Sequence, residues 1–68
     1  MKISARNQLQ GKIVAIDHGA TTSHVKIDVG GNILTAAITK TSVEEMGLAV
    51  GKTAYAIVKA SDVMVGID

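Results

Sequence analysis

Three segments of this 68-residue chain alternate apolar and polar residues with a period of two. Val25, Ile27 and Val29 interleave with His24, Lys26 and Asp28; Leu34, Ala36 and Ile38 interleave with Thr35, Ala37 and Thr39; Val63, Val65 and Ile67 form the third set. On an extended backbone that spacing puts the apolar side chains on one face, whereas a helix would scatter them around its axis. These segments are read as strands. A further strand over about Gln8 to Asp17 carries Ile13-Val14-Ala15-Ile16, apolar on both faces, which predicts that its outer face is covered as well. Tyr55 to Lys59 supplies another. Asp17-His18-Gly19-Ala20 and Gly30-Gly31-Asn32 are turns, because glycine and asparagine tolerate the positive φ of tight hairpins.

One segment departs from the strand period. Ser42-Val43-Glu44-Glu45-Met46-Gly47 reads as a capping box, with Ser42 as N-cap, Glu45 three residues on, Glu44 and Glu45 in the first turn, and Gly47 as the stop. It predicts one or two turns of helix. The element order is then β-β-β-α-β-β, an all-β chain folded as a small five-stranded OB-like barrel with one short helix. No linker, repeat or low-complexity stretch divides residues 1–68, which are read as a single domain.

A domain this short buries only about 60% of its unfolded surface. Its apolar residues are mostly Ala, Val and Ile, Tyr55 is its one aromatic side chain, and without cysteine it has neither a disulfide nor a zinc pattern to staple it. Association between copies is the remaining remedy. Met1-Lys2-Ile3 runs directly into polar Ser4 to Gln10, and no apolar run approaches the roughly 20 residues of a membrane span, so a soluble, cytoplasmic protein without a leader is expected.

Net charge is +1, with six lysines and one arginine spread among six acids rather than gathered in a stripe. A nucleic-acid-binding barrel needs stacking aromatics on a basic groove, and one tyrosine does not supply them. An enzyme needs a nucleophile beside a base or paired carboxylates in a cleft; neither pattern is present. His18 and His24 are too few for a metal site, and no side chain is expected to ligate a metal directly.

Two short clusters remain. Ser4-Ala5-Arg6-Asn7 precedes the first strand and Lys59-Ala60-Ser61 lies between the last two. Each sets a permanent cation within two residues of a hydroxyl and of an alanine too small to shield its own backbone N–H, the donor mixture that a compact oxyanion requires. Taken singly, each residue has a plainer role: Arg6 pairs with a carboxylate, Lys59 is solvated, Ser61 serves a turn, Thr39 is a β-former and Ser42 is a helix cap. Together they point to a small-anion binder.

The stretches Ser4-Ala5-Arg6-Asn7-Gln8-Leu9-Gln10-Gly11-Lys12-Ile13, Ala37-Ile38-Thr39, Ser42-Val43-Glu44-Glu45-Met46-Gly47-Leu48 and Val58-Lys59-Ala60-Ser61-Asp62-Val63-Met64 resemble the molbindins across essentially the whole chain. These are free-standing forms of a domain also found in molybdate transport ATPases and molybdate-responsive regulators. The resemblance implies an OB-like barrel that binds and buffers molybdate and tungstate inside the cell, assembled as a hexamer, a trimer of dimers, with oxyanions held between subunits. It also implies roles for single residues. Ser4 and Arg6 donate to the anion, Thr39 lies near it, Lys59, Ala60 and Ser61 close the other side, and Ala5 and Ala60 act through backbone N–H. The N-terminal cluster of one subunit would meet the Lys59 cluster of another. The competing ligand is a molybdenum-containing pterin cofactor, which the scarcity of aromatic contacts disfavours; an OB-fold nucleic-acid module is the third reading. No catalytic cofactor is expected.

Overall fold

The structure is a computed structural model that describes residues 1–68. It contains strands β1 (Asn7–His18), β2 (Thr22–Asp28), β3 (Ile33–Thr39) and β4 (Thr53–Val58), helix α1 (Lys40–Met46) between β3 and β4, and a single 3-10 turn at Ala60–Asp62. The strands form one antiparallel sheet in the order β3-β2-β1-β4. β1 is the organising strand. Its first half, Asn7 to Lys12, pairs with β4 and its second half, Lys12 to His18, pairs with β2, so that Lys12 stands opposite both Asp28 and Thr53. At this change of partner the backbones crowd together: a Cβ on Gly11 would lie 2.2 Å from the Asp28 carbonyl oxygen. Only glycine fits there.

The apolar run of β1 is accommodated by a bulge. The register shifts between Ile13 and Ala15, which leaves Val14 as the extra residue and lets Ile13 face Ile27 while Ile16, three positions on, faces Val25. Ile13 is 1% exposed and Val14 is 44% exposed. The run therefore turns both isoleucines toward the core, and Val14 is what remains of the outer apolar face that the sequence suggested.

The buried apolar core is Ile13, Val25, Ile27 and Val43, flanked by Ile16, Val29, Ile38, Leu48, Ala54 and Ala56. Val43 is α1's contribution to it. Ser23 is fully buried on β2, and its hydroxyl has no hydrogen-bond partner. This is a thin core, as the composition predicted.

Two sequence expectations are corrected. The helix begins earlier than predicted: its N-cap is Thr39, whose extended backbone ends β3 and whose Oγ1 accepts from the Ser42 N–H at 3.0 Å and donates to Ser42 Oγ at 2.8 Å. Ser42 is thus the capped residue and not the cap, and the first turn carries no acid. Gly47 ends the helix with φ 61°, the left-handed conformation expected of it. The second correction concerns strand number. Four strands form rather than five, because Val63 to Ile67 pairs with no other strand; Val65 and Ile67 are 92% and 95% exposed. Alternation gives a segment the pattern of a strand, but a strand exists only against an edge that accepts its hydrogen bonds.

Candidate functional site

Pairing of β1 with β4 brings the two donor clusters together. Asn7 lies opposite Val58 and its side-chain amide donates to the Val58 carbonyl at 3.2 Å. Residues just before Asn7 and just after Val58 must therefore leave the sheet side by side. They line one groove of about 660 Å³ formed by Ser4, Ala5, Arg6, Lys59, Ala60 and Ser61 with Ile3, Ile57 and Asp62. Six of the seven residues singled out from the sequence thus lie around one cavity. The two clusters meet within a single chain, without a second subunit.

Local geometry keeps the donors available. The 3-10 turn is held by the Asp62 N–H donating to the Lys59 carbonyl at 2.9 Å and the Val63 N–H donating to the Ala60 carbonyl at 3.3 Å. The N–H groups of Ala60 and Ser61, at the start of that turn, take part in neither bond, as is usual for the first residues of a helical turn. On the other wall, Gln8 donates to the Ala5 carbonyl at 2.9 Å and so fixes the chain as it enters β1. Arg6 and Lys59 take no part in the side-chain hydrogen bonds of the molecule, which are made by Asn7, Gln8, Asp28, Thr39, Ser42 and Lys52. Apart from Ala5, the lining is solvent-exposed.

Thr39 stands elsewhere. It lies at the β3–α1 junction, opposite Thr22, with its hydroxyl committed to Ser42. In one chain it is not part of the groove. Conversely, the groove includes three residues that sequence reasoning did not select. Ile57 is on the outer face because β4 turns Ala56 and Val58 inward, an alternation that was available to find it. Ile3 and Asp62 are adjacent to the two clusters and carry no motif signal of their own. No helix in the molecule is long and apolar enough to cross a membrane.

The TOBE domain model matches residues 3–65. The chain is 54% identical to a probable molybdenum-pterin-binding protein of Haemophilus influenzae over the whole length of both. A molybdate-binding protein from Sporomusa ovata superposes with a TM-score of 0.93 at 37% identity, covering 98% of this chain and all of that one. The cytoplasmic molybdate-binding protein ModG superposes with a TM-score of 0.94 at 39% identity, covering 100% of this chain and 49% of that one. The chain belongs to the TOBE domain family, in its small molbindin form. Its relatives are binding proteins, and it is a binding protein rather than an enzyme.

Proposed function

We propose that this protein binds molybdate and tungstate as free oxyanions in the Arg6–Lys59 groove and buffers them inside the cell as a closed homo-oligomer, a hexamer built as a trimer of dimers. The observation that carries the reading is the convergence of Ser4, Ala5, Arg6, Lys59, Ala60 and Ser61 on one groove. A tetrahedral dianion leaves water only where several donors and positive charges replace its hydration. Arg6 offers a planar fork of N–H donors, Lys59 a compact ammonium, Ser4 and Ser61 rotatable hydroxyls, and Ala5 and Ala60 backbone N–H groups. Relatives described as molybdate-binding support the choice of ion.

Assembly has separate support. The accessible surface is 5188 Å². A folded monomer of this mass is expected to expose about 4,000 Å², so roughly a quarter more surface is open than a self-sufficient domain leaves. Part of it is the Val63–Ile67 tail. An apolar seam of about 300 Å³ between β3 and β4, the two unpaired sheet edges, is lined by Leu34, Ala36, Ala37, Ala56, Ile57 and Val58. A tail from a second copy lying in that seam would regain the missing fifth strand. The groove itself is larger than a single tetrahedral ion and open to water, and in the proposed assembly a second copy would close it. In such an assembly Thr39 would lie near the anion from another chain.

The alternative ligand, a molybdenum-bearing pterin, is favoured by one observation: the relative from Haemophilus influenzae is described as molybdenum-pterin-binding. Ile3 and Ile57 offer that ring its apolar contact. Titration calorimetry with molybdate, tungstate, sulfate and phosphate, beside a native mass spectrum of the purified protein, separates the two. Saturable heat from molybdate with no organic mass bound supports the free oxyanion; a bound pterin mass with no molybdate heat rejects it.

A further inference from the structure

Asp62 is the one acid among the residues that line the groove. The 3-10 turn that carries it also carries Ala60 and Ser61 and starts from Lys59, and the Asp62 N–H donates to the Lys59 carbonyl at 2.9 Å, so the backbone of Asp62 is fixed in the same turn as three of the donors. It is engaged in none of the side-chain hydrogen bonds of the molecule. With Arg6 and Lys59 on the same groove, the site carries one net positive charge against the two negative charges of a bare oxyanion. The lining N–H groups, guanidinium and ammonium only donate and the Ser4 and Ser61 hydroxyls can do either, so the carboxylate is the one side chain there that can only accept.

We propose that Asp62 is the specificity-determining residue of the groove: its carboxylate repels fully deprotonated dianions, which limits their affinity and keeps them exchangeable, and it accepts a hydrogen bond from oxyanions that still carry a proton. The inference rests on the oxyanion reading of the groove. A unit charge and a dianion about 6 Å apart in a medium close to water repel by roughly 1.4 kcal/mol, which corresponds to a tenfold loss of affinity. A protonated tetrahedral anion, hydrogen phosphate for example, carries an O–H for which Asp62 is an acceptor, so the same residue narrows the gap between the two kinds of anion.

The test is titration calorimetry of the full-length protein with molybdate, tungstate and phosphate, comparing wild type, Asp62→Asn, and Asp17→Asn, which makes the same change in net charge at the far end of β1. Asp62→Asn is expected to tighten molybdate and tungstate about tenfold and to leave phosphate unchanged or weaker, whereas Asp17→Asn leaves all three within about twofold. Retained oligomer mass and melting temperature, with Asp62→Ala as a second variant, establish that the fold is intact. Equal tightening in Asp62→Asn and Asp17→Asn would reduce the effect to general charge and overturn the proposal. So would unchanged or weaker molybdate binding in Asp62→Asn, the latter together with a loss of oligomer mass marking Asp62 as an intersubunit partner of a cation. Absence of molybdate binding by the wild type would instead remove the oxyanion reading on which the inference stands.

Discussion

Arg6 and Lys59 come from opposite ends of the chain and reach one groove because Asn7 pairs with Val58. In the proposed site these are the two cations that offset the dianion, so Arg6→Ala and Lys59→Ala are each expected to weaken molybdate binding by about 2 kcal/mol or more, some thirtyfold. Lys52 is the proper control. It lies outside the groove, and its Nζ donates to the Gly47 carbonyl at 2.7 Å, capping the C-terminal end of α1. Lys52→Ala should leave the affinity unchanged while lowering stability by less than about 1 kcal/mol, because the contact is exposed. Calorimetry and chemical denaturation of the three variants check both statements; equal losses of affinity in all three would mean that overall charge alone draws the anion. At this scale the sequence marked both clusters, which the structure brings to one groove. It was silent on Ser23, whose buried unpartnered hydroxyl looks in sequence like any serine of a strand, and on Asp62, which reads as a turn residue until the groove is seen.

At the level of elements, the end of β3 decides where α1 begins. Thr39 is extended, φ −69° and ψ 149°, and its hydroxyl caps the Ser42 N–H, so Thr39→Ala should cost about 1 kcal/mol of stability. Ser42→Ala removes only an acceptor on the surface of the helix start and should cost clearly less. Denaturant midpoints rank the two, and a larger loss from Ser42→Ala would restore the cap that the sequence suggested. The misplacement has a physical origin. Thr39 and Ser42 are both competent caps three residues apart, and which one caps depends on where the hydrogen bonds of β3 to β2 stop, a tertiary fact. β2 and β3 were legible because each pairs with its neighbour in sequence and alternates, β2 with one buried face and β3 with one half-buried face. The bulge at Val14 was not. Four apolar residues in succession are compatible with a doubly covered strand or with an inserted residue, and only the register with β2 distinguishes them.

For the whole molecule, the sequence yielded five strand-like segments where one chain forms four, and the difference is the Val63–Ile67 tail. In the proposed assembly that tail is the strand one copy lends to another. A protein ended after Asp62 is expected to lose oligomer mass in light scattering and to melt lower, whereas the full chain is expected to run as a hexamer at micromolar concentration. A full-length monomer, or a shortened protein with undiminished mass, would contradict the tail's role in assembly. Since the core holds four buried apolar residues, most of the stability is expected to be shared with that assembly and to fall on dilution.

In the proposed function the groove recognises the larger tetrahedral oxyanions and not anions in general. On that reading, donors held by the start of β1 and a short turn define a site of set size, which a larger ion would span while sulfate would leave part of it unpaired. Anion that binds the folded assembly and not the unfolded chain stabilises it by about 2.7 kcal/mol per independent site at ~100 times the dissociation constant. The most direct measurement is thermal unfolding of the protein in molybdate, tungstate, sulfate and phosphate at equal ionic strength, which removes general screening. The melting temperature is expected to rise by several degrees with molybdate and tungstate, to stay near the anion-free value with sulfate, and to rise less with phosphate than with molybdate. Equal shifts with sulfate and molybdate would show a generic anion patch and contradict the account.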